Sequence, residues 1–469
     1  MEKKSSTRSS RNRGMEENIM AILDASGIKE PRDIHDDKIS FLEAVRAAFL
    51  VSDIGNSPSS KIYEAIFSIL RDSSSPDLIM MSYQLLVALD KHFPRVKLDH
   101  VDASNSGCDK QIEIVFDEEA WAPFSLAPGS AYNEVEESLN LGIPLDSAAF
   151  SRLIENIARD FDEVNCSVPG MKLVGRMMLL QYLVNVVEWD FVCRNTVYKD
   201  TQNWSLLRDS VLNMLLGSRR ISYKGLMKDC VGILAKEGYD HADVPLTKSE
   251  NAKGSPRKTV DSGDVTFGRC YVELKKGTCM AFQRFFTLIM ELDIIKKAAD
   301  SQGQTSRSDS VRTPLLEIIL DELAYDEDLF ARFLQVFSDP KWKLEIIIQF
   351  FSKYLTKPAV RTRRSKDSSN SLEDRTLQGV LTCFSTDANT KGITKKINTD
   401  VVQFLLAYAF QAYLNLHHSE NHGESSVMNV CRDLISTFHN LKRADKNMEM
   451  VPIGKEALFT AAAIMAMKT

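Results

Sequence analysis

Apolar side chains recur at helical spacing through most of the chain. The apolar positions of 316–323 follow the i, i+3, i+4, i+7 pattern, and the same arrangement returns over 330–337 and over 344–355. This spacing gathers the apolar side chains on one face of a helix, and short connections make consecutive helices antiparallel neighbours. The pattern therefore predicts three successive helices whose apolar faces pack on one another.

Prolines mark the starts of several predicted helices. A residue with a capping side chain precedes a proline and an apolar run at Ser57-Pro58, Ser75-Pro76, Thr313-Pro314 and Asp339-Pro340. The capping oxygen accepts a backbone N–H of the first turn, and proline fits there because that position needs no donor. Apolar periodicity predicts further helices near 16–25, 37–51, 59–71, 76–93, 146–163, 170–190, 204–217, 221–237, 266–298, 374–384, 398–416, 424–442 and 453–467.

Alternation typical of a strand is confined to Gln111–Phe116 (QIEIVF), and one short strand cannot form a sheet. Helix pairs recur at irregular intervals near the roughly 40–47 residues of HEAT and armadillo repeats, without a clear consensus. The sequence therefore predicts an all-α protein. The expected architecture is an irregular armadillo- or HEAT-like α-solenoid with mobile polar loops.

Polar, Ser-rich segments divide the chain. They bury too little apolar surface to offset the entropy of ordering, so they are expected to be mobile. The predicted organisation is a disordered basic tail at 1–14, an N-terminal helical half at 15–239, a flexible linker at 240–264 and a C-terminal helical half at 265–469. Shorter breaks of similar composition lie at 101–110, 300–311 and 364–372.

Composition narrows the class of protein. The 469 residues are 44% hydrophobic and 26% charged, which fits a globular chain rather than a disordered or fibrous one. The low counts of 21 glycines and 14 prolines argue against an all-β protein, which needs a turn every 8–12 residues or so. A net charge of −6 disfavours wholesale coating of nucleic acid or membrane.

Cysteine use and hydropathy indicate the compartment. The eight cysteines are scattered and none forms a C-x-x-C pair, so reduced and mostly buried thiols are expected. The basic segment 1–14 has no apolar stretch behind it and does not fit a secretory signal. The longest nearly apolar run, Met177–Val187, is shorter than the ~20 residues that cross a bilayer. A protein of the cytoplasm or nucleus, without a membrane partner, is predicted.

Catalytic and nucleotide-binding motifs are missing from the sequence. The Gly-Lys pair at Gly454-Lys455 lacks the upstream glycine of a P-loop, and no G-x-S-x-G, H-E-x-x-H, kinase or G-x-G-x-x-G pattern occurs. We therefore expect no enzymatic activity, no cofactor and no small-molecule substrate. An enzyme with an unrecognised site is the alternative.

Two clusters of ionisable residues are candidates for chemistry. His417, His418 and His422 would suit a metal if one helix ran through them, but no cysteine accompanies them, and solvated loop histidines are the favoured interpretation. Five acids gather between two predicted helices, namely Asp321, Glu322, Asp326, Glu327 and Asp328. General acid–base work would require their burial, so a solvated corner that complements the dipole of the next helix is favoured.

A basic run follows the helix-stopping Pro358. Its five cations are Lys357, Arg361, Arg363, Arg364 and Lys366. Because no aromatic residue lies among them to stack on bases, the run is interpreted as a nuclear-localisation signal, a sequence-independent phosphate contact or an ordinary solvated linker. Separately, Ser255 precedes a proline and two cations, which makes it a candidate site for a proline-directed kinase.

Long stretches of the chain resemble one known family. The resemblance is carried by Arg312–Arg364 (beginning RTPLLEIILDELAYDEDLF), Phe41–Val51 (FLEAVRAAFLV), Ile62–Arg71 (IYEAIFSILR), Asn203–Arg220 (NWSLLRDSVLNMLLGSRR), Met290–Lys297 (MELDIIKK) and Ile393–Phe410 (ITKKINTDVVQFLLAYAF). These strings occur in colinear order over nearly the whole chain, the segments 1–14 and 240–264 excepted. The chain resembles the plant negative regulators of systemic acquired resistance.

The resemblance implies a nuclear, armadillo-like helical protein that restrains defence-gene expression. It also implies a non-catalytic subunit of the repair-class structural-maintenance-of-chromosomes (SMC) complex, paired with a second helical subunit in the DNA-damage response and homologous recombination. The expected function is therefore a nuclear scaffold that binds protein partners and contacts DNA weakly and non-specifically at most. The alternative is a DNA-binding transcriptional repressor that uses the basic run at 357–366.

Overall fold

The structure is a computed structural model of the 469-residue chain. It describes residues 3–24, 31–51, 57–101, 111–117, 120–126, 144–163, 170–242, 262–306, 312–323, 326–355, 376–419 and 424–467. The chain forms two compact units: unit 1 comprises Met1–Cys230 and Lys248–Thr313, and unit 2 comprises Val231–Thr247 and Pro314–Thr469. The all-α prediction is confirmed, because helices make up nearly all of the regular structure of both units.

The first part of the chain, through α10, holds ten helices, a π-helical turn and one hairpin among the described residues. Their bounds are α1 Lys3–Asp24, α2 Pro31–Arg46, the π-helical turn Ala47–Val51, α3 Ser60–Asp72, α4 Pro76–His92, β1 Val96–Val101, β2 Gln111–Phe116, α5 Ser147–Glu163, α6 Met171–Thr201, α7 Trp204–Arg208, α8 Val211–Leu216, α9 Tyr223–Ala242 and α10 Ser262–Ser301.

The remaining helices of the described residues belong to unit 2. Their bounds are α11 Leu315–Leu323, α12 Glu327–Val336, α13 Pro340–Leu355, α14 Leu377–Thr382, α15 Asp387–Thr394, α16 Thr399–Ser419, α17 Glu424–Ala444 and α18 Pro452–Met467. The three apolar stripes predicted from 316–355 are α11, α12 and α13, and most of their stripe residues are buried.

The proline signals predict helix starts correctly to within two residues. Helix α4 begins at Pro76 and α13 at Pro340, whereas α3 begins two residues after Pro58. At α13 the Asp339 Oδ1 accepts the Lys341 N–H at 3.0 Å, which is the expected cap. Ser75 makes no such cap, because its hydroxyl is hydrogen-bonded to His35 Nε2 at 3.0 Å instead.

Helix α6 forms the centre of unit 1 and packs in parallel with α10. Gln181 Nε2 donates to Thr278 Oγ1 at 3.1 Å, and Arg284 donates to Glu188 Oε2 at 2.6 Å. The two pairs are 97 and 96 residues apart in sequence, and a nearly constant separation means that the helices run in the same direction. Helix α10 therefore completes the core of unit 1.

The predicted division at 240–264 differs from this arrangement. Helix α10 packs on α6 and lies in unit 1, so the change of unit on that side falls after Thr313. The polar composition of 240–264 marks a long connection, and a connection of this kind can cross from one part of a core to another. Residues 243–261 lie outside the described part of the chain.

The segment 1–14 also differs from its predicted form. Helix α1 begins at Lys3 and therefore includes most of the segment that the composition assigned to a disordered tail. Arginine favours a helix and serine disfavours it only mildly. No proline interrupts this segment. Polarity alone was thus a poor guide to its backbone.

The prediction that the chain has one isolated strand was wrong. Strand β1, Val96–Val101, pairs antiparallel with β2, and Val96 lies opposite Phe116. The segment VKLDHV alternates apolar and polar residues at first, but it is short and lies between Pro94 and the polar break at 101–110, so the pattern assigned it to no element. Two strands that pack on α6 are stable where one would not be.

Candidate protein-interaction surface

Of the basic run, Ser255 and the acidic corner predicted from the sequence, the structure describes only members of the acidic corner. The five cations of the basic run and Ser255 lie outside the described residues, so their roles stay predictions. Asp326 caps α12, since its Oδ1 accepts the Leu329 N–H at 2.9 Å, which is the helix-terminal role expected for this acidic corner. Asp321 and Asp328 are exposed to solvent.

Of the three histidines of the predicted cluster, the structure describes one side chain, that of His417. His417 lies in α16, where its Nδ1 is 3.0 Å from the Tyr413 carbonyl oxygen and its ring is tilted by 30° against that of Tyr413. The structure describes neither the side chain of His418 nor any part of His422. Across the described ranges, no group of three His, Cys, Asp or Glu side chains is placed to hold a metal ion.

Thiols and membrane spans give further tests of the sequence predictions. Cys230 and Cys431 are buried free thiols, and burial raises the pKa of the Cys279 thiol to about 12. Cys270 departs from the expectation, since it is exposed. Among the helices that the structure describes, none combines the length and apolarity needed to cross a membrane.

An exposed aromatic surface lies where the hairpin packs on α6. Its members are Phe116 of β2, and Trp189 and Val192 of α6, and we call it the hairpin–α6 surface. These side chains are 41%, 54% and 47% exposed, respectively. Large apolar side chains grouped in this way on a folded protein mark sites of protein contact. Aromatic residues are also the commonest energetic anchors of protein interfaces.

The Trp189 indole is held in place by the edge of the hairpin. The Asp117 N–H donates to the Arg95 carbonyl, so the alternation of an antiparallel pair turns the Val96 carbonyl away from β2. Trp189 Nε1 donates to this outward carbonyl at 3.1 Å. One polar edge group of β1 is thereby satisfied, and the indole ring is fixed with its apolar part facing solvent.

The guanidinium of Arg194 packs against one face of the Phe116 ring. The guanidinium carbon of Arg194 lies 4.5 Å from the centre of the Phe116 ring, a cation–π contact. Arg194 Nε donates to Asp190 Oδ1 at 2.9 Å, and its NH1 group donates to the Leu206 carbonyl at 3.0 Å. A network buried in unit 1 therefore fixes the orientation of the exposed aromatic ring.

Asp190 connects this network to a helix start. Its second oxygen, Oδ2, accepts the Val211 N–H at 2.8 Å, which is a free donor of the first turn of α8. The carboxylate thus satisfies a backbone donor, complements the helix dipole and pairs with Arg194. Because Asp190 is almost fully buried, all three contacts are made away from water.

A second polar contact of α6 lies about two turns before Trp189 of the hairpin–α6 surface. Tyr182 Oη donates to Asp90 Oδ2 of α4 at 2.9 Å. Burial raises the pKa of Asp90 to about 6, although the Tyr182 hydrogen bond and the nearby Arg95 act in the opposite direction. Burial and the adjacent carboxylate also raise the pKa of Tyr182 well above its ordinary value.

The Asp90 carboxyl makes the stability of unit 1 depend on pH. Its pKa is higher in the folded than in the unfolded chain, so its stabilising contribution is complete below pH ~4 and is lost as the pH rises through 6. Asp90→Asn keeps an acceptor for Tyr182 and removes the charge. At pH 7.5 we expect this variant to gain about 1–2 kcal/mol in free energy of unfolding, after allowance for partial exposure to solvent.

Urea unfolding of the Asp90→Asn variant and the unsubstituted chain at pH 7.5 and pH 4.5 measures this effect. The gain should be clearly smaller at pH 4.5, where the native carboxyl is already protonated. An equal gain at both pH values would show that the charge of Asp90 is not the cause.

The hairpin–α6 surface was not predicted from the sequence. Trp189 and Val192 lie at the end of an apolar run, and which side of such a helix is exposed depends on neighbours distant in sequence. A usable signal was present in Asp190 and Arg194, which are four residues apart within an otherwise apolar stretch. Such a pair inside a buried helix indicates a polar network at that point.

The fold and this surface define the class of the chain: an all-α protein that presents a rigid aromatic surface to its surroundings. Residues 95–339 match the family model of the SNI1 middle domain, and residues 355–469 match that of the SNI1 C-terminal domain. The chain belongs to the SNI1 family.

A curated relative extends the match to nearly the whole chain. The chain is 42% identical over 455 residues to "Negative regulator of systemic acquired resistance SNI1" from Arabidopsis thaliana. The alignment covers 97% of this chain and 95% of that protein. No solved structure matches the chain.

Proposed function

We propose that this chain is a negative regulator of systemic acquired resistance that acts in the nucleus as a non-catalytic scaffold of an SMC-type complex. The identity with the Arabidopsis regulator over nearly the full length of both chains carries the proposal. The scaffold serves the DNA-damage response and homologous recombination, and it restrains defence-gene expression. The family resemblance supports the complex and the compartment.

The helical partner subunit binds the hairpin–α6 surface in this proposal. Trp189 and Phe116 supply aromatic anchors that need little further ordering, because the indole N–H and Arg194 already hold them. Anchors that are rigid before association lose less conformational entropy when a partner binds. The ion pair of Glu188 and Arg284 supplies a partly exposed polar neighbour to these apolar residues on α6.

DNA makes a small contribution to binding in this proposal. The chain carries a net charge of −6, and the basic run at 357–366 has five cations. Three to five phosphate contacts would give a log–log salt slope of about −3 to −5, which is typical of weak and sequence-independent association. Specificity for the chromosome complex therefore comes from protein contacts.

Substituting the aromatic anchors tests the proposed function. We expect Phe116→Ala with Trp189→Ala to lower recovery of SMC-complex subunits at least tenfold in affinity purification from plant nuclei, because aromatic anchors dominate interface energetics. In Arabidopsis plants that lack the relative, the unsubstituted chain should restore low defence-gene transcript levels, and the double variant should not. Quantitative mass spectrometry and transcript measurements give the two readouts.

A matched control separates the surface from general exposure. Ile294 of α10 is 54% exposed, as Trp189 is, so Ile294→Ala removes an equally exposed apolar side chain outside the surface. This variant should recover the same subunits as the unsubstituted chain. If the unsubstituted chain recovers no SMC subunits, the scaffold assignment is wrong. If the double variant recovers them normally, the partner binds elsewhere.

A further inference from the structure

Strand β2 has one edge whose backbone groups find no partner among the described residues. The Asp117 N–H donates to the Arg95 carbonyl, and Val96 lies opposite Phe116 in the next pair along. Hydrogen-bonded and non-hydrogen-bonded pairs alternate in an antiparallel ladder. The N–H and C=O groups of Phe116, and those of Ile114 two residues earlier, therefore point away from β1. No described residue forms a hydrogen bond with these outward groups.

The usual protections of an exposed strand edge are missing from β2. Natural edge strands carry lysine, proline or a bulge, each of which discourages pairing with another chain. The segment Gln111–Phe116 contains neither lysine nor proline, and it pairs with β1 in continuous register. Strand β1 differs, because Trp189 donates to its outward Val96 carbonyl and because Lys97 is exposed. The β2 edge is thus the more open of the two.

The two faces of the hairpin differ in exposure and charge. The Phe116 ring contacts Arg194 of α6, so the face that holds Phe116 and Ile114 is turned to that helix. On the opposite, exposed face, Asp99 lies directly across from Glu113. Like charges in directly opposite positions destabilise a pair of strands. Neither carboxylate forms an ion pair with another described residue. A basic side chain beside Glu113 would offset this repulsion.

We propose that the β2 edge binds an extended segment of a partner protein as a third, antiparallel strand, and that this segment alternates basic and apolar residues. Its backbone pairs with the outward groups of Ile114 and Phe116. Its apolar side chains extend the face turned to α6, and a basic side chain lies opposite Glu113. Main-chain hydrogen bonds supply the affinity of such strand addition, and alternate side chains supply the selectivity. The six residues of β2 make an edge of about 20 Å at ~3.3 Å each.

This strand site differs from the hairpin–α6 surface in the groups that it uses. The hairpin–α6 surface presents side chains, including the Phe116 ring, whereas the β2 edge presents backbone groups in the plane of the sheet. Only an extended backbone matches the spacing of donors and acceptors along a strand, so the occupant of the edge is not a helix. The proposal goes beyond the proposed function and does not rest on it.

A second copy of this chain does not suit the β2 edge. The segment Gln111–Asp117 contains no cation, so no antiparallel pairing of two β2 strands places a basic residue opposite Glu113. One of the possible registers would even place Glu113 opposite its own copy. The net charge of −6 disfavours self-association as well. A basic segment of a different protein meets the charge requirement instead.

Two N-methylated peptides test the main-chain part of the proposal on the full-length chain. Both alternate lysine and valine over seven residues, and three nitrogens are methylated, either those of the valines or those of the lysines that follow them. In the proposed pairing the valine N–H groups face β2 and the lysine N–H groups face away. Fluorescence anisotropy should therefore show binding at least roughly tenfold weaker for the valine-methylated peptide. Because both peptides carry the same charge, the difference isolates strand pairing.

Substitution of Glu113 tests the charge part. Glu113→Gln should weaken binding of the lysine-methylated peptide about threefold. Glu113→Lys should favour a peptide with glutamate in place of lysine over the lysine peptide. Glu155→Gln is the matched control, because it removes an exposed acid of α5 and changes the net charge equally. This control should bind the lysine-methylated peptide as the unsubstituted chain does. Glu113 is exposed, so its variants should fold normally.

Hydrogen exchange followed by NMR locates the bound peptide. Exchange should slow at the N–H groups of Ile114 and Phe116. It should stay unchanged at those of Glu113 and Val115, which already bond to β1.

Three results would overturn the proposal. Neither peptide binds, or both bind equally well. Alternatively, sedimentation shows a dimer that the lysine-methylated peptide dissociates, which would make the β2 edge a self-interface. Each result is independent of whether SMC subunits are recovered from nuclei.

Discussion

Asp190→Ala is expected to lower the free energy of unfolding of unit 1 by about 3–5 kcal/mol, the typical cost of breaking a buried ion pair by removing one partner. The substitution leaves Arg194 without its carboxylate in a position where its side chain is 12% exposed. It also removes the acceptor of the Val211 N–H at the start of α8. Urea unfolding followed by tryptophan fluorescence measures the loss, since Trp121, Trp189 and Trp204 all lie in unit 1.

The pair formed by Glu155 and Arg159 provides a matched control. It has the same i, i+4 spacing and a distance of 3.0 Å, but both side chains are more than half exposed. Glu155→Ala should therefore cost no more than about 0.5 kcal/mol. Asp190→Asn should fall between the two, because an amide oxygen still accepts the Val211 N–H. Similar losses for Asp190→Ala and Glu155→Ala would show that burial of the pair has no consequence.

Leu320→Asp should have a comparable effect on unit 2. Leu320 of α11 is buried, and no cation lies three or four residues away to pair with a new carboxylate. The variant loses a packed side chain and buries a charge, so a loss of at least about 3 kcal/mol is expected. Hydrogen exchange should show lost protection across α11, α12 and α13 while α6 stays protected.

The double substitution Asp326→Asn with Asp328→Asn is the control for unit 2. Asparagine caps a helix about as well as aspartate, so the contact with the Leu329 N–H is kept. Asp328 is exposed, and its replacement changes little. Stability should remain within about 0.5 kcal/mol of that of the unsubstituted chain. If this variant were the unstable one and Leu320→Asp were tolerated, the register of α11 would be wrong.

The helices of this protein could be predicted because their signals are local. Apolar spacing over 316–355 and the Asp339-Pro340 pair depend on neighbours within a few residues, and α11 to α13 follow them closely. Strand β1 was missed because a strand is stable only through its partner and through packing on α6. The alternation in VKLDHV is too short to decide the matter alone.

The hairpin–α6 surface could not be predicted for a related reason. Whether Trp189 is exposed depends on how α10 and the hairpin cover α6. Charge and hydropathy patterns show which residues are unusual, but the neighbours that make them unusual come from the tertiary fold. The basic run at 357–366, by contrast, is evident from the sequence because its five cations lie within ten residues.

The parallel packing of α6 and α10 has a consequence for synthesis on the ribosome. Helix α6 ends at Thr201 and α10 ends at Ser301, so the side of α6 that packs on α10 has no cover until about a hundred further residues have been translated. At ~5–20 residues per second this delay is roughly 5–20 s. During that time the nascent chain leaves this side of α6 exposed, and a chain truncated before Ser262 leaves it exposed permanently. Chaperone dependence should therefore be greatest while the ribosome translates the segment from α7 to α10.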